Sequence, residues 1–550
     1  MSRLTVRDLW STGQLRARQA RFLLPSQRAL FLLWIPSGLA AGAVLLPILY
    51  LLIRALGGGE SSWEIVLRPQ TLETLWRTVW LAFWVTVLSI AIALPLAWLT
   101  TRSDLPGRRL WAVLTPLPLV VPSYVGAYLF VSALGPRGLL QTLLEAPFGI
   151  TRLPDIYGLP GALLVLTLLN YPFLLLTLRA ALLRLDPALE EAAASLGLNR
   201  WQTFWRVTLP QLRPAITTGS LLVVLYVLRD FGAVAIMRYN TFTRVIYIQY
   251  QNSFNRSAAA SLALVLIVLS LIVLILELRA RGRARLASPN RPSRRPARLP
   301  LGRWRWPALL FCLAIVSVSL VLPAGLLAYW LLRGLAAGEV LGDLWATAGN
   351  SLLASGLAAL AALTCALPIS ILEVRRHNAA SRLLERISYA AFALPGIVIA
   401  LALVFFGANY VPSLYQTLSM LVLAYVILFL PQVVGTVRTS LLQVHPNMEE
   451  AGRGLGKSAI EVFARITLPL VRPGIISGAA LVFLTAMKEL PATLLLAPSG
   501  FPTLATSVWS SVSEAFFARA AAPALLLVLL SSLPLALIEI RQQAKDKIVR

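Results

Sequence analysis

The sequence predicts an all-α polytopic membrane protein with about twelve spans in two parallel six-helix repeats, and three observations carry that reading. Hydrophobic residues make up 58% of the 550 and charged ones only 13%, with a mean hydropathy of +0.76. A soluble protein of this size would carry about 25% charge. Apolar runs of the length a bilayer requires recur along the whole chain. One polar stretch also occurs twice, EEAAASLGLNRWQTFWRVTLPQLRP from Glu190 to Pro214 and EEAGRGLGKSAIEVFARITLPLVRP from Glu449 to Pro473, at a constant offset of 259.

Residues 1–29 are polar and basic and read as a cytoplasmic segment with no cleavable leader. The first repeat, 30–278, supplies runs at Leu30 to Ile53, Leu75 to Leu99, Leu110 to Ala133, Leu159 to Leu182, Pro214 to Met237 and Ala258 to Leu278. The stretch 279–306 holds Arg281, Arg283, Arg285, Arg291, Arg294, Arg295, Arg298, Arg303 and Arg305 among four prolines. It cannot build a core and reads as a flexible cytoplasmic linker lying on anionic lipid headgroups. The second repeat, 307–540, supplies Pro307 to Leu331, Gly349 to Leu372, Ile387 to Gly407, Leu414 to Leu441, Pro473 to Leu496 and Ala520 to Ile540, and 541–550 is a basic tail. Six spans per repeat give both repeats one orientation.

The formal net charge is +26. The basic residues fall between spans rather than on one face, which excludes a nucleic-acid surface. Arg16, Arg18, Arg21 and Arg28, then Arg102, Arg108 and Arg109, then Arg179 and Arg184 all fall on one side, as do the linker and the tail. The positive-inside rule places both termini and both duplicated loops in the cytoplasm. Cys312 and Cys365 each sit inside an apolar run, which excludes a disulfide framework and a paired-cysteine metal site.

Upstream of the duplicated loops the repeats align at a larger offset, 273, which pairs Pro95 with Pro368, Arg102 with Arg375 and Pro122 with Pro395. The first repeat therefore carries 14 extra residues between Pro122 and Pro172. They fall on the outer side, as a longer loop or a contact for a delivering protein.

Within each loop, 186–210 and 445–469, acids follow a proline, as suits the positive end of a helix dipole. Gly197 and Gly456 then break the helix, and Leu209-Pro210 and Leu468-Pro469 close a second short one. The spacing is Glu191-Ala192-Ala193, three residues, Gly197, nine residues, Val207-Thr208-Leu209-Pro210. The second copy reads Glu450-Ala451-Gly452, Gly456, Ile466-Thr467-Leu468-Pro469. This pattern is similar to the cytoplasmic coupling loop of membrane subunits of binding-protein-dependent ABC importers; Val207 stands for Ile and Gly452 for the second Ala. By that resemblance Glu190, Glu191, Ala192, Gly197, Leu209 and Pro210 form one ATPase-coupling site, and Glu449, Glu450, Gly456, Leu468 and Pro469 the other. The fold implied is that of type I importers.

The run Ala451 to Ser458 imitates a phosphate-binding loop, but its first position is Ala rather than Gly and it follows a span rather than a strand. ATP hydrolysis is therefore left to a partner.

The offset of 259 also pairs Arg229 with Lys488 and Asp230 with Glu489 inside the fifth and eleventh spans. Charge at a span centre costs about 2.5–3.5 kcal/mol on insertion scales, so such residues face one another or a cavity. They read either as an inter-repeat ion-pair lock or as a translocation path in which Asp230 and Glu489 offer transient hard-oxygen ligands to a metal cation.

The segments Arg229 to Tyr250 and Met487 to Trp509 resemble the fused two-repeat permeases of ferric iron importers; thiamine and phosphonate permeases are the alternative. Tyr239, Tyr247 and Tyr250 read as interfacial belt residues or as outer-side contacts. The resemblance implies a transport subunit without its own ATPase site and no cofactor bound by this chain. It implies a homodimeric ABC ATPase that holds ATP and Mg, a periplasmic or lipid-anchored ferric-binding protein, and residence in a bacterial plasma membrane. A channel or secondary transporter would leave both coupling loops without a use.

Overall fold

The computed structural model describes residues 27–548 apart from 58–59, 137, 150–151, 253–255, 288–299, 340–342 and 377. The N-terminal segment up to residue 26 and the middle of the arginine-rich linker lie outside the described residues. Among those described, secondary structure is entirely helical. Nine helices among the described residues are long and apolar enough to cross a membrane, or up to eleven when each of two bent pairs counts as one span. The last helix, Phe517–Ile548, carries a shorter apolar stretch, Phe517–Ser532.

Four predicted spans are broken, at equivalent places in the two repeats. Leu110 to Ala133 turns through 95° at Val121-Pro122, and Ile387 to Gly407 through 106° at Leu394-Pro395. A proline fixes φ and has no N–H to continue the ladder, so the helix stops and restarts in a new direction. The fifth span ends at Arg229, with Gly232–Ile236 as a separate short helix; the eleventh ends at Met487 and resumes at Pro491–Leu496. The paired charges therefore occupy chain breaks rather than span interiors. The linker is also shorter than expected, since the helix Arg256–Ala287 runs into it and a 3-10 turn, Gly302–Trp304, precedes Arg305–Val316.

Each repeat packs three central helices together: Pro69–Arg102, Leu159–Arg184 and Leu209–Arg229 in the first, Leu344–Arg375, Leu418–Gln443 and Leu468–Met487 in the second. With lipid as apolar as leucine, contact depends on close approach. Ala354, Ala358, Ala362 and Ala366 accordingly line the buried stripe of Leu344–Arg375. At Gly478 a Cβ would strike Thr436, and at its equivalent Gly219 it would strike Thr177, so both repeats cross these helices at the same point.

The two cores exchange their outer helices. Ala40, Val44 and Leu51 of the first helix, with Ala259, Ala263 and Leu266 of the sixth span, pack into the core of the second repeat. Reciprocally, Cys312, Val316 and Leu327, with Ala520, Ala524 and Leu527, pack against the first repeat. Trp330 Nε1 donates to Ser132 Oγ at 3.0 Å across this contact. A bond of that kind contributes about 0.6 kcal/mol between membrane helices.

Part of the extra segment of the first repeat folds as the helix Leu139–Phe148. Tyr239 is buried, its hydroxyl donating to the Arg77 carbonyl at 3.2 Å; Tyr247 meets Phe231 edge-on at 4.8 Å, and Tyr250 faces Phe405 at 6.0 Å. All three tyrosines pack against protein neighbours.

Candidate coupling surface and translocation seam

Each coupling loop is built twice from the same parts. Asp186 Oδ1 accepts the Ala188 N–H at 3.0 Å, and His445 Nδ1 accepts the Asn447 N–H at 3.3 Å, so both helices Pro187–Ser195 and Pro446–Gly454 start on a side-chain cap with proline at N1. Gly197 at φ +81° and Gly456 at φ +78° end them. The Leu198 N–H returns to the Ala193 carbonyl at 3.1 Å and the Lys457 N–H to the Gly452 carbonyl at 3.2 Å, the six-to-one bond of a left-handed C-cap. Nothing lies within 4 Å of a Cβ built on either glycine, so the requirement is backbone conformation, not space. Capping boxes of Asn199 with Gln202 and Ser458 with Glu461 open the next helix.

That second helix is continuous with the following span. At Phe204–Thr208 and Phe463–Thr467 the backbone widens into a π-turn, with the Leu209 N–H reaching the Phe204 carbonyl and the Leu468 N–H the Phe463 carbonyl. Pro210 and Pro469 cause it, because neither can donate to the carbonyl four residues back.

The two glutamates of each loop divide. Glu190 accepts from Arg102 at 3.3 Å and from Thr208 Oγ1 at 2.8 Å; Glu449 accepts from Arg375 at 2.8 Å and from Thr467 Oγ1 at 2.9 Å. They fasten the loop to the C-terminal end of the second span of their own repeat, where Arg102 is only 3% exposed. Glu191 and Ala192 face outward, and Glu450 is half-buried. Arg102 and Arg375 align at the offset of 273, but their sequence positions name no partner; identical arginines at both span ends are the only signal in the sequence.

What the loops present outward is apolar. Leu196 and Leu455 are 82% and 83% exposed, Trp201 and Ile460 69% and 76%. Leu189 and Met448, also exposed, complete the same three positions in both copies. A matched apolar crest on a polar hairpin is the kind of exposed apolar patch that suits contact with another protein.

At the seam between the repeats the four charged residues are half-buried and do not form the anticipated acid–base pairs among the ion pairs described. Each carboxylate stays within its own repeat. Asp230 Oδ1 caps the short helix that follows, accepting from Ala233 N at 3.0 Å, and also takes the Ser123 hydroxyl; Glu489 Oε1 accepts from Ala492 N at 3.3 Å. Each cation crosses. Lys488 Nζ donates to the Leu119 carbonyl at 3.1 Å and Arg229 Nη1 to the Phe392 carbonyl at 3.5 Å. Arg229 also lies within electrostatic reach of Glu489. Among the described residues, no group of three or more His, Cys, Asp or Glu is placed to hold a metal.

Two repeats of broken spans, two hairpins with a common outward crest and a charged seam between them define a membrane-embedded transport component that works with docked proteins. Two segments, 86–283 and 358–547, match the family described as binding-protein-dependent transport system inner membrane component, and the chain belongs to that family. It is 36% identical over 500 residues, 90% of this chain and 95% of the relative, to the Fe(3+)-transport system permease protein FbpB 2 of Haemophilus influenzae. Shorter relatives match one portion: the molybdenum transport system permease protein ModB of Escherichia coli, 36% identical over 29% of this chain and 69% of its own length, and the sulfate transport system permease protein CysW of Escherichia coli, 30% identical over 38% and 70%.

Proposed function

We propose that this chain is the membrane-spanning permease of an ATP-driven importer that carries ferric iron into the cytoplasm. The observation that carries the cargo assignment is full-length similarity to a ferric iron permease, 90% of this chain against 95% of the relative. That similarity favours iron over thiamine or phosphonate.

The matched crests at Leu196 and Leu455 support a homodimeric ABC ATPase as the inner partner, one hairpin in each subunit's groove. ATP and Mg belong to that partner, and this chain binds no cofactor and makes no covalent bond. A periplasmic or lipid-anchored ferric-binding protein delivers cargo on the opposite face, both termini lie in the cytoplasm, and the setting is a bacterial plasma membrane. ATP-driven closure of the ATPase pair rocks the repeats between outward-open and inward-open states. Asp230 and Glu489 supply transient oxygen contacts to the passing cation, while Arg229 and Lys488 keep it from settling.

The test is uptake of radiolabelled ferric iron into proteoliposomes holding this chain, its ATPase and its binding protein, with thiamine and a phosphonate as competitors. ATP-dependent iron uptake, unaffected by either competitor and reduced by Asp230→Asn and Glu489→Gln, is the expected result. ATP hydrolysis without iron movement would overturn the cargo assignment.

A further inference from the structure

The two crossing bonds share a cause that lies in the sequence. Leu119 and Phe392 sit near the ends of the 3-10 helices Leu117–Val120 and Ala391–Ala393, where a carbonyl expects a donor three residues on. Those positions are Pro122 and Pro395, and a proline has no N–H to give. Each proline therefore leaves one carbonyl unsatisfied at membrane depth, where such a group must find another partner. The partner is the cation of the opposite repeat. The offset of 273 relates Leu119 to Phe392 and Pro122 to Pro395, and the offset of 259 relates Arg229 to Lys488, so one arrangement is made twice, reciprocally.

We propose that the reciprocal bonds from Lys488 to Leu119 and from Arg229 to Phe392 are the latch of the translocation gate, closing the seam in this conformation and breaking each time the path opens. Three features distinguish a latch from a fixed brace. The donors are long, flexible side chains, half-buried, each crossing the seam with one hydrogen bond. The neighbouring carboxylates are tied inside their own repeats, to Ala233 and Ala492, so separating the repeats leaves those caps intact while parting the cations from their carbonyls. The acceptors also lie in the last turn before the 95° and 106° bends, where no continuing helix supplies them with a donor. Once released, the cations regain water and the carbonyls can do the same, which keeps the open and closed states close in energy.

The inference rests on reading the chain as an importer subunit, and its test uses a readout that needs no cargo to cross. The complete complex in proteoliposomes is assayed for ATP hydrolysis with and without iron-loaded binding protein, alongside iron uptake. Lys488→Met and Arg229→Met remove the donors. Pro122→Ala leaves both cations in place but gives residue 122 an N–H with which Leu119 can pair inside its own repeat.

Each of the three substitutions is expected to raise hydrolysis in the absence of binding protein by about fivefold or more, the lower end of ordinary allosteric coupling, and to lower the iron moved per ATP. Lys488→Arg should restore control. The pair Lys488→Met with Pro122→Ala should be no worse than Lys488→Met alone, since both break one bond. Should Lys488→Met fail to assemble, Pro122→Ala and Lys488→Arg decide the matter. Wild-type control of hydrolysis in Pro122→Ala and Arg229→Met, or additive effects in the pair, would overturn the latch. A wild-type complex indifferent to its binding protein would overturn the importer reading, and the latch with it.

Discussion

Gly452 and Ile466 in the second hairpin stand where the first has Ala193 and Val207. As sequence these are two unrelated departures from a common pattern. In the structure they are one. A Cβ added at Gly452 would come 2.6 Å from Ile466 Cδ1, the carbon that valine lacks, so each copy has one small and one larger partner in the opposite order. The seam repeats the device: Asp230 takes the Ser123 hydroxyl, whereas the longer Glu489 lies over Gly396, the equivalent of Ser123, where a Cβ would meet its Oε1. Overpacking of this kind costs about 1–3 kcal/mol. Gly452→Ala should lower the thermal unfolding midpoint of the purified complex, and Ile466→Val should restore most of the loss in the double variant. Additive destabilisation would mean that the two positions do not compensate. Such pairings were not legible in one sequence, because nothing in the spacing says which side chains meet.

At the scale of elements, apolar length and periodic polarity were enough to place nearly every span and both hairpins. Breaks were harder to read. Pro95 and Pro368 lie inside unbroken spans, while Pro122 and Pro395 turn the chain by about a right angle. A proline licenses a bend, and packing decides whether it happens. The Leu-Pro pair ending each coupling loop looks in sequence like a stop and is instead the origin of a π-turn that carries the loop's helix into the next span. That junction sets the direction in which the crest points. Replacing Pro469 by alanine restores an N–H and allows ordinary α-helical pairing through Phe463–Thr467. The expected outcome is a folded, correctly inserted protein that retains its ATPase subunit poorly. Copurification yield against wild type checks this, and full retention would show that the turn is incidental.

For the whole molecule, the duplication, its two offsets and the basic loops gave the arrangement of repeats, but not the exchange of helices between their cores. Hydrophobicity cannot distinguish a helix facing lipid from one facing protein, since both surroundings are apolar. The exchange makes each core depend on both ends of the chain. Cutting within 288–299 and expressing the two pieces together should give a complex that copurifies, whereas either piece alone should be lost. Removing the first helix, Gln27–Leu56, should expose Leu344–Arg375 and Leu418–Gln443 in the second repeat to hydrogen exchange before their first-repeat counterparts. Faster exchange confined to the first repeat would contradict the exchanged packing.

The crossed cation-to-carbonyl contacts also bear on how such a chain can arise by gene duplication. Each repeat contains one donor and one proline-orphaned acceptor, so the contact is self-complementary in the manner of a twofold dimer interface. A single unfused repeat, paired with a copy of itself, would close the same seam with no new residue. The architecture is thus available to a homodimer first and to a fused chain afterwards. Joining the repeats then frees them to drift apart wherever one side's change can be met by the other's, while the closing contact stays reciprocal.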